Sequence, residues 1–357
     1  MIEDLGSWPH PSKIKKLNKT KLMIGVLLSL LPLGLAAGSC WNIVTERRLL
    51  ARNTPPGSLY QVEGYSMHLN CSGTGSPTIL AEAGSDEDSL TWTLIQSSLL
   101  KDVRFCSYDR AGLGWSDARK GQRDAYAIAG QLHGLLAAAG VKVPLLLIGH
   151  SLGGLFIRVY AQKYPYQVAG LIFLDASTPA TYTGALGKAL GINQASLKIF
   201  SVLNLADWVS KISGYERLRG HCSEVPEQLR SIAGLYQTDS CIASHDTEER
   251  REVSALPEDL TEVSTQPVNV PILVLSEDKT PMLQTPEAIA AWNRIQASML
   301  QLSSRSYRVI AIESDHLLQI DCPGFVTQQV RTFLSSLNGT ASANSYGTTT
   351  TLACKVQ

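Results

Sequence analysis

Ser151 and His316 stand where a nucleophile and its base would be needed. Ser151 lies in Gly149-His150-Ser151-Leu152-Gly153, between the apolar run Pro144–Ile148 and the amphipathic stretch Leu152–Tyr164. A serine in a G-x-S-x-G turn from strand to helix is held in strained backbone that aims its hydroxyl away from the sheet. Glycines two residues to either side keep side chains from striking the neighbouring strand and helix. The same turn puts the Leu152 N–H at a helix start, where a donor without an intrahelical partner can hold a developing oxyanion. A serine hydroxyl attacks poorly until an imidazole takes its proton. Among seven histidines, His316 follows the last predicted strand, in Ser314-Asp315-His316, and is the candidate base. His150 reads as a pocket-wall residue, and His68, His133, His221 and His245 have no comparable setting.

The elements that must position these groups alternate along the chain. Strand-like runs fall at Leu59–Glu63, Ser66–Cys71, Thr78–Ala83, Val103–Tyr108, Pro144–Ile148, Gly170–Leu174, Pro271–Leu275 and Tyr307–Ile312. The later runs are continuously apolar, as in strands covered on both faces of a parallel sheet. Helical patterns lie between them at Leu90–Leu100, Arg123–Ala139, Leu152–Tyr164, Pro286–Leu302 and Phe325–Leu337. This alternation predicts an α/β domain with a mostly parallel, doubly wound sheet. Nearly 100 residues between Leu174 and Pro271 carry helical patterns but no clear strand, and read as a helical insertion over the carboxyl edge of the sheet.

Three stretches, in order, resemble the α/β-hydrolase-fold serine hydrolases: Tyr108-Asp-Arg-Ala-Gly-Leu-Gly-Trp-Ser-Asp117, Gly149-His-Ser-Leu-Gly-Gly154 and Ser314-Asp-His-Leu-Leu-Gln-Ile-Asp-Cys-Pro323. The resemblance covers roughly residues 58–337 and implies an α/β-hydrolase fold with a helical cap at about 180–265. It also implies a Ser…acid…His order along the chain. The family usually places the acid after the penultimate core strand, where this chain reads Ser276-Glu-Asp-Lys-Thr-Pro281 and has Thr280 at the expected position. Asp278 lies two residues early. Asp175 ends the preceding strand, where some members, including haloalkane dehalogenases, carry their acid. Asp175 is therefore the expected acid and Asp278 the alternative.

The resemblance further implies a second oxyanion donor from backbone after Thr78–Ala83, and Ser85 N–H is the expected one. Asp109 and Arg110 are expected to brace their turn. Dehalogenases and epoxide hydrolases of this fold use an aspartate nucleophile, so Ser151 points instead to acyl transfer. The expected activity is cleavage of a carboxylic ester or related acyl bond of a small molecule through an acyl-enzyme, without a cofactor. An aminopeptidase, thioesterase, acyltransferase or cofactor-free haloperoxidase on the same residues is the alternative, and a non-catalytic binding protein a third. Leu197, Phe200, Leu203 and Trp208 of the insertion are candidates for an apolar ceiling over the substrate.

Composition bounds the remainder. The chain has 357 residues, with 31 Lys and Arg against 31 Asp and Glu. A hydrophobic content of 44% and zero net charge exclude a disordered chain, and a pI near 7.0 argues against a nucleic-acid partner. Residues 1–21 form a basic flank, and 22–45 carry no charge, enough to cross a ~30 Å hydrocarbon core as a helix. That segment is expected to be a single-pass membrane anchor with the catalytic domain outside, or a cleaved signal peptide of a secreted protein. Residues 46–57 read as a linker and 338–357 as a flexible tail. Seven cysteines suit an exported protein, with Cys222–Cys241 and Cys71–Cys106 as candidate pairs. No cysteine or histidine spacing predicts a structural metal. Nothing in the sequence sets the oligomeric state.

Overall fold

The apolar runs become the middle of one sheet. The computed structural model describes residues 19–183, 186–187, 208–240, 242–264, 266–278, 285–339 and 346–354. Nine strands, β1 (Ser58–Val62), β2 (Tyr65–Ser72), β3 (Thr78–Glu82), β4 (Phe105–Tyr108), β5 (Leu145–His150), β6 (Val168–Leu174), β7 (Ile272–Glu277), β8 (Ser306–Ile312) and β9 (Thr349–Ala353), line up in the order 1-2-4-3-5-6-7-8-9. The pairs β1–β2 and β2–β4 are antiparallel and the remaining pairs are parallel.

Successive residues of the central strands enter two different cores, as the pleat requires. Leu145 and Leu147 of β5 and Leu171 and Phe173 of β6 face helices α3 (Ala125–Ala138) and α4 (Leu152–Lys163). Leu146, Ile148, Ile172 and Leu174 face the other way, onto α2 (Thr93–Leu99) and, with Phe325, Val330 and Phe333, the helix Pro323–Leu337. Each such buried Leu, Ile or Phe contributes about 1.5–3 kcal/mol, so both faces are needed to hold the strand ends that carry the site. Asp124 starts α3 by accepting the Ala127 N–H at 2.8 Å.

Between β6 and β7 the described residues form helices α5 (Pro179–Tyr182), α6 (Tyr215–Arg219), α7 (Ala233–Asp239) and α8 (Ala243–Glu262). Helix α9 (Pro286–Ser298) joins β7 to β8, and α10 (Leu318–Asp321) precedes α11 (Pro323–Leu337). No strand occurs in the described part of the insertion.

Three expectations change. Among the described residues, no helix is long and apolar enough to cross a membrane. The segment 22–45 instead lies within α1 (Lys19–Arg52), whose carboxyl half rests on the cap. Buried Asn42 donates to the Lys211 carbonyl at 3.1 Å and accepts from Arg217 Nε at 2.9 Å, and Asn53 donates to Thr238 Oγ1 at 2.8 Å. With the helix docked from Gly38 onward, residues 22–37 would span only about 24 Å, short of a ~30 Å core.

The linker reading of 46–57 changes with it, because α1 runs to Arg52. The tail read as flexible contributes β9, where Thr349-Thr350-Thr351 supplies β-branched residues for pairing with β8. A disulfide from Cys354 to Cys322 pins its end. That bridge was not expected, whereas Cys71–Cys106 forms between neighbouring strands. Cys222 is disulfide-bonded, Cys241 lies outside the described residues, and Cys40 is free and exposed.

Candidate active site

Ser151 sits between β5 and α4 with φ 49° and ψ −122°, a left-handed conformation that costs a non-glycine residue energy. Tertiary hydrogen bonds hold it there. Its N–H donates to the Leu174 carbonyl at 3.2 Å, and its own carbonyl accepts the Ser177 N–H at 2.8 Å. The flanking glycines are required by close approach. A Cβ on Gly149 would lie 2.6 Å from the Gly153 carbonyl oxygen, and one on Gly153 would lie 2.5 Å from that of Ala83. Leu152 is the first residue of α4, so its N–H has no partner within the helix.

His316 follows β8 in the loop before α10, and its ring meets the end of β6. Nδ1 lies 2.6 Å from Asp175 Oδ2, which leaves Nε2 as the nitrogen that can exchange a proton with a substrate or nucleophile. Asp175 is fully buried, and its Oδ1 accepts from Trp292 Nε1 of α9 at 3.1 Å and from the Glu277 N–H at 3.4 Å. Asp278 is engaged elsewhere, accepting the Ser314 N–H at 3.1 Å. Thr280 lies outside the described residues. Glu277 ends β7 beside this pair. Burial first, and then the Asp175 charge, push its carboxyl up to about 8, so it is protonated at neutral pH.

The backbone at Ser85 is oriented by Arg110. Its guanidinium donates to the Ala83 carbonyl at 2.8 Å and to the Gly84 carbonyl at 2.7 Å. In a planar trans peptide the N–H points opposite to the carbonyl, so these bonds turn the Gly84 and Ser85 N–H groups away from Arg110. The Gly84 N–H meets Glu87 Oε2 at 2.9 Å, while among the described residues the Ser85 N–H has no acceptor. Arg110 is itself held by Glu82 of β3 and Glu252 of α8, each at 3.0 Å. Burial raises the Glu82 pKa to about 7 against the opposing pull of Arg110. The Ser85 side chain points to the cap, its Oγ donating to Glu249 at 3.3 Å. Asp109 braces its turn as expected, accepting the Ser89 and Trp115 N–H groups at 2.8 and 2.9 Å.

His150 is a brace rather than a pocket wall. Its ring is completely buried, with Nδ1 2.9 Å from Glu87 and Nε2 2.9 Å from the His316 carbonyl oxygen. Burial opposes its charged form, but the Glu87 carboxylate outweighs burial and raises its pKa. Glu87 moves the other way, lowered by the imidazolium despite its own burial. The pair thus links the backbone before Ser151, the loop after β3 and the His316 loop.

Glu82, Glu87, Glu252 and Trp292 were not singled out from the sequence. Glu82 alone left a local signal, an acid at the end of the apolar run Thr78–Ala83. In the cap, Trp208 lies under the Arg250 guanidinium at 5.4 Å; Leu197, Phe200 and Leu203 lie outside the described residues. Among the described residues, no three His, Cys, Asp or Glu gather as metal ligands would.

Comparison with known proteins agrees with this architecture. A segment is 37% identical over 112 residues, 30% of this chain, to the probable transporter efuK of Hormonema carpetanum, and covers 16% of that protein. The chain spans less than half the length of the first curated relatives it matches. Among solved structures, the epoxide hydrolase CorEH superposes with a TM-score of 0.60 at 19% identity, covering 78% of this chain and 98% of that one. A bacterial membrane phospholipase A superposes with a TM-score of 0.56 at 19% identity over 90% of this chain and 97% of its own. At such identities the likeness is one of fold. A family profile described as the alpha/beta hydrolase fold matches residues 77–323, well over half of the chain, and the chain belongs to that family.

Proposed function

We propose that the chain is a serine hydrolase that cleaves a carboxylic ester or related acyl bond of a small molecule. The observation that carries this reading is a serine in strained backbone at the carboxyl end of β5, with a histidine bonded through Nδ1 to a buried aspartate at the end of the neighbouring strand β6. Ser151 Oγ attacks the acyl carbon while His316 Nε2 takes its proton. The negative charge passes to the carbonyl oxygen, which accepts hydrogen bonds from the Leu152 and Ser85 N–H groups. Collapse of this intermediate expels the alcohol, which receives the proton from His316, and leaves an acyl-Ser151 ester. Water, deprotonated in turn by His316, then releases the acid and restores Ser151. Asp175 holds the imidazole in the required tautomer and stabilises its cation.

A serine nucleophile separates this reading from the aspartate chemistry of epoxide hydrolases on the same fold. The catalytic unit spans 58–337 with β9 added at the edge of its sheet, and the insertion at about 180–265 selects the acyl group. The disulfides Cys71–Cys106 and Cys322–Cys354 support an oxidising compartment outside the cytoplasm.

Fluorophosphonate labelling tests the proposal, with a panel of p-nitrophenyl esters of graded chain length to define the acyl group. Wild type should label and turn over esters, and Ser151→Ala should do neither. An unlabelled wild type, or a Ser151→Ala protein that still labels, defeats the reading.

A further inference from the structure

Arg158 lies on α4, seven residues beyond Ser151, and is only 7% exposed. Its guanidinium donates to the Ser264 carbonyl, but Nε is buried with no acceptor. Among the described residues no carboxylate pairs with it, and burial alone lowers its pKa to about 10. A buried cation without a counter-ion is costly, and natural proteins pair such groups or let them bind an anion. Arg110 in the same molecule shows the paired alternative, with Glu82 and Glu252 on its guanidinium.

Arg158 lines a cavity of about 230 Å³. Thr178, whose Oγ1 is also buried without a hydrogen-bond partner, lines the same cavity. Pro179, Ala180, Met299 and Leu302 supply apolar wall, and Ser298 lines the cavity at the end of α9. One cation, the hydroxyls of Thr178 and Ser298, the Gln301 amide and an apolar wall suit a monoanion with a short aliphatic part better than a multiply charged, fully hydrated ion.

We propose that this cavity is a second ligand site, distinct from Ser151, that binds a small aliphatic carboxylate through Arg158 and Thr178. Thr178 is three residues beyond Asp175, so the ligand would sit behind the loop that carries the proposed acid. The site stands whether or not Ser151 is catalytic.

The test uses the full chain, with butyrate as probe and butyramide as its neutral counterpart, read by thermal shift and by titration calorimetry. Butyrate should raise the wild-type melting temperature in a saturable way and butyramide should not. Arg158→Gln should weaken butyrate binding about tenfold or more, as expected for loss of a charged hydrogen-bond partner. Arg158→Lys keeps the charge and should keep the preference for butyrate over butyramide. Thr178→Val should weaken binding by a few fold. Covalent blocking of Ser151 should leave butyrate binding intact. The assignment fails if Arg158→Gln and wild type bind butyrate alike, or if blocking Ser151 abolishes binding. It also fails if butyramide or inorganic phosphate binds as tightly as butyrate.

Discussion

The ends of β6 and β7 lie side by side, each carries an aspartate, and the molecule treats the two differently. Asp175 at β6 is fully buried and takes three donors, from His316 Nδ1, Trp292 Nε1 and the Glu277 N–H. Asp278 at β7 meets one donor among the described residues, the Ser314 N–H. Each directly follows a parallel strand of similar composition, so strand chemistry does not separate them. What separates them is what other parts of the chain bring: α9 delivers an indole to one, and the loop after β8 delivers an imidazole to the same one. The comparison also explains Glu277. Buried, and beside a carboxylate already committed to His316, it keeps its proton to about pH 8.

The largest test of this contrast is Asp175→Asn against Asp278→Asn, with folding checked by circular dichroism. In the proposed mechanism Asp175→Asn lowers kcat by about 10³–10⁴, because the wrong imidazole tautomer is then favoured. Asp278→Asn should change kcat by less than about threefold, and the reverse pattern would transfer the acid role to β7. Trp292→Phe keeps the packing but removes one donor from Asp175. Loss of a hydrogen bond to a charged group predicts about a tenfold fall in kcat with KM nearly unchanged. A rise in KM with kcat unchanged would instead assign Trp292 to substrate binding.

The smaller effects are on stability and depend on pH. Glu277 has a pKa of about 8 in the native protein against an ordinary 4.5, so between those values the native state binds the extra proton. Stability therefore falls as pH rises through that window. Glu277→Gln removes the loss, and its urea midpoint should exceed that of wild type progressively above about pH 4.5 while matching it below. A constant offset at all pH values would show that packing, not the proton, was changed.

The His150–Glu87 pair has the opposite signature. Its raised imidazole contributes stability below pH 6.5 that is lost as pH rises through the native value. Its lowered carboxylate contributes stability above pH 4.5 that is lost as pH falls through the native value. The urea midpoint of His150→Gln should therefore drop most between about pH 4.5 and 6.5, where both charges of the wild-type pair are present.

Much of the fold was legible because its signals are local. Continuous apolar runs at 145–148, 170–174 and 271–275 mark strands covered on both faces, and Gly149 and Gly153 mark a turn that admits no Cβ. His316 was legible from its place after the last run before α10. The placement of 22–45 was not legible, for the opposite reason. An uncharged stretch records length and hydropathy, but not that Asn42 and Asn53 would be held by Lys211, Arg217 and Thr238. The bridge from Cys322 to Cys354 was equally invisible, because it depends on a strand, β9, that forms only beside β8.

The sequence by itself determined the strand–helix alternation, the serine turn and the candidate base, all of which rest on spacings of a few residues. Tertiary structure decided which aspartate meets His316, how Arg110 turns the Ser85 N–H, and that Arg158 is buried without a counter-ion among the described residues. Those outcomes join residues such as Trp292 and Asp175, or Glu252 and Arg110, that lie more than a hundred positions apart. No local pattern encodes such meetings, because burial and partner choice are set only when the sheet, α9 and the cap close on one another.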